Sequence, residues 1–228
     1  MCKYDKIQLR KGFFMEYFSK KDIINYAYYI LNTAKMERID FYGSMYHHNT
    51  DYQAGIFVVA HGILSMSSLN RIGLSSFSED ELKKYSDIES HANGIDNVSL
   101  SVAGLQDLYK GEEEYDSSSV DELDIIVDSS IKAFRNSTHY GNEFLSRGDI
   151  HPKYIKSIDV RIEQYLKKIE NSESINEIFS LVEKINSLLD IATTIKNSNI
   201  LLREVSFNQN KQLDARKLSR LPRINNVG

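Results

Sequence analysis

Apolar residues recur at three-and-four spacing between Ser19 and Met36, where Ile23, Ile24, Ala27, Ile30, Leu31 and Ala34 form one stripe. Ser19 precedes Asp22 by three residues, the spacing of a reciprocal cap, so a helix is predicted here. The period changes at Phe41-Tyr42-Gly43-Ser44-Met45-Tyr46, an aromatic-rich run that suits a strand and ends in His47-His48-Asn49-Thr50. Thr50 or Asp51 then caps a short helix that Gly62 can terminate. Ser78 and Glu81 open a polar helix that fades near His91-Ala92-Asn93-Gly94. Short strands are predicted at 97–102 and 123–128, and a third starts near Glu143-Phe144-Leu145. Pro152 interrupts the chain before the Ile/Val alternation of 155–162, the pattern of a half-buried strand. Ser174 and Glu177 open a long amphipathic helix carrying Ile175, Ile178, Phe179, Val182, Ile185, Leu189, Ala192 and Ile195, and the remainder of the chain reads as helical.

This order predicts an α+β fold: a helix, a core of mixed strands and helices, then a helical end. Regular β-α-β alternation with glycine-rich phosphate turns is missing, so a doubly wound dinucleotide-binding sheet does not fit. The expected organisation is an N-terminal helical segment at 1–40, a core at 41–162 and a helical C-terminal extension with a basic tail at 163–228.

Composition narrows the class. The chain has 228 residues, 41% apolar and 26% charged, enough for a packed core without disulfides or metal. Its longest apolar run, Ala54 to Ala60, is 7 residues, against the ~20 a spanning helix needs. No membrane association is expected. The opening MCKYDKIQLRKGFF lacks an apolar stretch with a small-residue cleavage site, and the single cysteine, Cys2, suits a reducing compartment. Both point to a cytoplasmic protein, or one delivered into a host cytoplasm. A net charge of −4 supplies no global basic field for nucleic acid. Locally, Glu112 to Asp124 holds only acidic charges and reads as a solvated loop. The tail from Phe207 is basic (Lys211, Arg216, Lys217, Arg220 and Arg223 against Asp214) and reads as frayed or as a contact for phosphates or an acidic partner.

Several chemistries are disfavoured directly. The six histidines, His47, His48, His61, His91, His139 and His151, include no HExxH pair, and one cysteine cannot build a CxxC site. No metal is expected. His47 and His48 would point to opposite faces of a strand, which makes them poor joint ligands. GxxxxGK[ST] and GxSxG are also missing, against a P-loop nucleotidase or an α/β-hydrolase.

Three separated patches remain. The first is Tyr46-His47-His48-Asn49-Thr50, followed by a short helix and Gly62-Ile63. The second is Val98-Ser99-Leu100-Ser101, with Tyr109 downstream. The third is Tyr140-Gly141-Asn142-Glu143-Phe144-Leu145, continuing to Ile150-His151-Pro152 and Ile158-Asp159-Val160. Together, over about residues 41 to 162, they resemble the ADP-ribosyltransferase superfamily, and most closely its DarT-type toxins, which attach ADP-ribose to DNA bases. In that family a first strand carries histidine or arginine, often as Y-H-x-T, before a helix ending in G-[IL]. A second strand offers serine, or tyrosine shortly after it, and a third begins with the catalytic glutamate.

The resemblance implies an ADP-ribosyltransferase-like core of mostly antiparallel strands and NAD as co-substrate. Glu143 would be catalytic, holding the nicotinamide ribose and favouring an oxocarbenium-like centre. His48 or His47, with Thr50, would bind the adenosine ribose. Ser101, Ser99 and Tyr109 compete for the nicotinamide end. In the loop before Glu143, His139 and Tyr140 would stack on an acceptor base, while Arg135 and Arg147 would meet phosphate. Arg71 is a stand-in, on position alone, for the family's arginine at the nicotinamide ribose. Gly141 occupies the place where arginine-modifying members carry Glu or Gln, which disfavours that specificity. The implied acceptor is a macromolecule, DNA, RNA or protein, and a toxin's antitoxin or another protein partner is expected. Two rivals stand beside this reading: NAD hydrolysis on the same site, and a non-catalytic interaction module docking through the helix at 174–197. Each residue also has an ordinary reading: a charged strand start for Glu143, an edge-strand pair for the histidines, strand-face serines, and core packing for Tyr109.

Overall fold

The computed structural model describes residues 19–34, 45–74, 78, 80, 95–102, 122–135 and 143–205, with the side chains of Glu122 and Glu143 outside that description. The run before Tyr46, the helix opened by Ser78, the stretch 112–121 and the basic tail accordingly lie largely or wholly outside the described residues, as do Tyr109, His139 and Tyr140.

Local signals set the helix starts. Ser19 and Asp22 cap each other, the Asp22 N–H donating to Ser19 Oγ (3.3 Å) and the Ser19 N–H to Asp22 Oδ2 (2.8 Å). Helix α1 then covers Lys20–Thr33 and buries Ile23, Tyr26, Ala27, Ile30 and Leu31. Strand β1 (Tyr46–Asp51) takes in both histidines. Asp51 caps α2 (Tyr52–His61), which contains the chain's longest apolar run and ends at Gly62. Helix α3 (Met66–Arg71), which the apolar pattern does not predict, is capped by Ser65.

Strands β2 (Ser99–Ser101), β3 (Glu122–Val127), β4 (Ala133–Arg135), β5 (Glu143–Ser146) and β6 (Ile155–Val160) follow. Two helices, α4 (Ile162–Asn171) and α5 (Ile175–Ile195), precede a final strand, β7 (Leu201–Glu204). The chain after 162 is therefore not wholly helical. Residues 201–204 pair in parallel with β6, and the α4–α5 hairpin forms the crossover that a parallel pair requires. Leu, Arg and Glu are all good helix formers, so only the pairing decides this segment.

The described strands form one seven-stranded sheet in the order β4-β5-β2-β1-β3-β6-β7. All neighbours are antiparallel except β6 and β7. The fold is thus α+β with a mostly antiparallel sheet. Helix α2 is wedged between sheet and α5: a Cβ on Gly55 would lie 2.3 Å from Leu123 Cδ1 and 2.7 Å from Ile191 Cδ1. Tyr52 of α2 meets Tyr165 of α4 edge-on at 5.7 Å, and Tyr26 Oη of α1 donates to Asn186 Oδ1 of α5 (3.3 Å). Most of the stripe on α5 is core: Ile178, Phe179, Val182, Ile185, Ala192 and Ile195 are buried in this chain, Leu189 is half-buried and only Ile175, at the helix start, is exposed, which leaves little of that apolar face for docking a partner. Among the described residues no helix is long and apolar enough to cross a membrane.

Candidate active site

The strand segments of the three patches, Tyr46–Thr50, Ser99–Ser101 and Glu143–Leu145, lie on the neighbouring strands β1, β2 and β5. The ladder aligns them in one transverse row: His47 stands opposite Ser101 across β1–β2, and Ser101 stands opposite Glu143 across β2–β5. Adjacent strands lie about 5 Å apart, so the row spans roughly 10 Å between its outer Cα atoms. A one-residue slip would exchange the faces and break this alignment. Ser99 lies two positions along β2, opposite Leu145.

Alternation along β1 separates the two histidines. His47 shares its face with Asn49 and lies opposite Ile126, whereas His48 and Thr50 lie opposite Ile125 and Leu123, both fully buried. The His48 ring donates from Nδ1 to the Ser99 carbonyl oxygen at 2.9 Å, which leaves Nε2 as the lone-pair nitrogen of the neutral ring. Burial pulls the His48 pKa down, opposed by that carbonyl and the charge of Asp124. The structure thus places His47, not His48 or Thr50, in the row with Ser101 and Glu143.

His47 has a partner that motif reasoning missed. Its Nδ1–H donates to Asp124 Oδ2 at 2.8 Å, and Asp124 is 1% exposed. The end of the acidic run is therefore a strand interior, not solvated loop. Asp124 lies opposite Asp159 of β6, whose Oδ1 is 3.4 Å from Arg203 Nε of β7 and accepts from Ser157 Oγ (3.2 Å). Asp159 and Arg203 are buried as well. Burial first, then the charge of Asp124, pushes the Asp159 carboxyl up to about 7, against the pull of Arg203, His47 and Ser157. A signal existed in the sequence: aspartates in the apolar strands Leu123-Asp124-Ile125 and Ile158-Asp159-Val160, where that residue is depleted.

Other parts of the motif turn out to be architectural. Gly62-Ile63 and Ile150-His151-Pro152 meet in a two-bond clasp, Ile63 N–H to Ile150 O (2.9 Å) and Ile150 N–H to Ile63 O (2.8 Å). Gly62 has φ +86°, and a Cβ there would lie 2.0 Å from the Ile150 oxygen, so glycine is required on both counts. The clasp ties the end of α2 to the segment following β5. Nearby, Asp149 accepts from the Ser65 N–H (2.6 Å) and Ser68 Oγ (2.8 Å), and Arg71 Nη2 donates to Ser68 Oγ (3.4 Å). Arg147 is exposed on the turn after β5, and Arg135 is exposed at the end of β4. Among the described residues no group of three or more His, Cys, Asp and Glu side chains could hold a metal ion.

No family profile and no curated protein matches the chain. Among solved structures, Thermosipho africanus DarTG in complex with ADP-ribose superimposes with a TM-score of 0.36 at 13% identity, over 70% of this chain and 49% of its own. The chain thus spans about half the length of that protein. At that score the likeness decides nothing about the site, which rests on the ladder and the side-chain contacts above.

Proposed function

We propose that the chain is an NAD-dependent ADP-ribosyltransferase that modifies a macromolecule inside a cell, as a toxin or effector. The observation that supports this best is the row His47–Ser101–Glu143. It joins three patches separated by up to about a hundred residues, each carrying the residue type the reaction needs.

In this reading His47 holds the adenosine ribose and Ser101 the nicotinamide amide. Glu143 accepts a hydrogen bond from the 2′-hydroxyl of the nicotinamide ribose. The glycosidic C1′–N bond breaks and its electron pair goes to the pyridinium nitrogen, so nicotinamide leaves neutral. The carboxylate stabilises the positive charge growing on the ribose. A lone pair of the acceptor then bonds to C1′, and its proton passes to Glu143. Tyr109 is a second candidate at the nicotinamide end, and His139, Tyr140 and Arg147 belong to the acceptor loop and its flank. The acceptor is DNA, RNA or protein, with a partner that restrains the activity if the chain is a toxin. Water in the acceptor's place would give plain NAD hydrolysis.

Incubation with labelled NAD and separate pools of single-stranded DNA, RNA and total protein tests this. Label is expected on one pool with the wild type and to be lost with Glu143→Gln. Nicotinamide release without label transfer would replace transfer by hydrolysis. Absence of both, with NAD leaving the melting temperature unchanged, would overturn the reading.

A further inference from the structure

Asp124 belongs to none of the three patches, yet its carboxyl holds the histidine of the row. Its position is costly. A buried carboxylate loses several kcal/mol of hydration unless paired, and Asp124 is 1% exposed beside a second buried acid, Asp159. An apolar residue at this strand position would relieve both burdens. Arg203 engages Asp159 through Nε at 3.4 Å, and His47 engages Asp124 through Nδ1 at 2.8 Å. What the carboxyl accomplishes locally is to fix one imidazole, in ring plane and tautomer, at the strand position opposite Ser101.

We infer that Asp124 is a positioning residue for NAD binding: it keeps the proton of His47 on Nδ1, so that Nε2 addresses a ribose hydroxyl. This rests on the transferase reading above. The physical basis is tautomer control, in which the partner of one imidazole nitrogen sets what the other can do. An aspartate can only accept from the ring, whereas an asparagine can also donate to Nδ1, which moves the ring proton to Nε2 and reverses the polarity offered to the ribose.

The test uses the full chain and steady-state release of nicotinamide from NAD. Wild type, Asp124→Asn, His47→Gln and the double variant are compared. Asp124→Asn is expected to raise KM for NAD by about tenfold, the scale of one charged hydrogen bond, with kcat changed by less than about twofold. In the His47→Gln background the same change should add less than about twofold, because the residue acts through the ring. A merely structural aspartate would raise KM equally in both backgrounds, and that result overturns the inference. So does an unchanged KM in Asp124→Asn. Should Asp124→Asn fail to fold, imidazole NMR of the wild type decides: a downfield Nδ1 proton lost in His47→Gln is expected, and a His47 protonated on Nε2 alone contradicts it. Failure of wild type to release nicotinamide would instead overturn the transferase reading and this inference with it. Turnover by wild type with identical KM in Asp124→Asn overturns the inference alone.

Discussion

The two faces of the sheet share the same strands, but they are built on different physics. On the helix-packed face, Leu123, Ile125, Val127, Ile158 and Leu202 are excluded from water and lie under α2 and α5 or beside them. That face is stabilised by apolar area, and any set of side chains of similar volume would serve. The other face carries His47, Asp124, Asp159, Ser157 and Arg203, joined by directional contacts of 2.8 to 3.4 Å. There burial is offset by directional contacts, and removing one of them weakens the compensation of a buried polar group. Costly polar burial on one face of an otherwise apolar sheet is what sets the two faces apart.

Breaking the apolar face should cost stability and little else. Ile125→Ala is expected to lose about 2–5 kcal/mol in denaturant unfolding, while KM for NAD, measured below the lowered transition, stays within about twofold. A selective rise in KM would mean that the two faces are not separable. The polar face should show itself in pH dependence. The Asp159 carboxyl is raised from 3.8 to about 7 in the folded chain. The unfolded chain therefore releases this proton at lower pH than the folded chain does. Its contribution to stability is full below pH 3.8 and is lost as pH rises through about 7, at a ceiling on the order of 4 kcal/mol. Asp159→Asn should flatten the decline in stability between about pH 4 and pH 7, and an unchanged slope in urea titrations across that window would contradict the assignment. The smallest effect is expected from Ser101→Ala, which removes one hydrogen bond in the row. NAD binding should weaken about three- to tenfold with unfolding free energy unchanged within about 0.5 kcal/mol. Loss of stability without loss of binding would make Ser101 an ordinary strand serine.

Much of the fold was legible because its signals are local. Ser19 with Asp22 and Ser174 with Glu177 mark helix starts within three residues, Asp51 and Gly62 mark the two ends of α2, and the structure uses all of these. The elements that escaped are those decided at a distance. Ala133–Arg135 is too short to show a period, and Leu201–Glu204 looks helical until β6 pairs with it. The site divides in the same way. That His47 and His48 face apart follows from strand alternation alone, but which of them meets Ser101 depends on register, a property of two strands together. The sequence shows Asp124 and Asp159 inside apolar strands but not that they are buried. A charged residue in a short strand normally marks the solvent side, whereas both aspartates are buried in the folded chain. The Gly62-Ile63 and Ile150–Pro152 pieces of the motif read as parts of a catalytic signature, and the structure uses them to clasp α2 to the chain after β5.

The central claim is that the row of His47, Ser101 and Glu143 binds NAD and breaks its glycosidic bond. Nicotinamide release by the wild type beside Glu143→Gln, with matched melting temperatures, tests it most directly. Release by the wild type and a fall of at least about 100-fold in kcat for the variant are predicted, the scale of losing one electrostatic partner of the transition state. Equal release by the two proteins, or none from the wild type, would contradict the account.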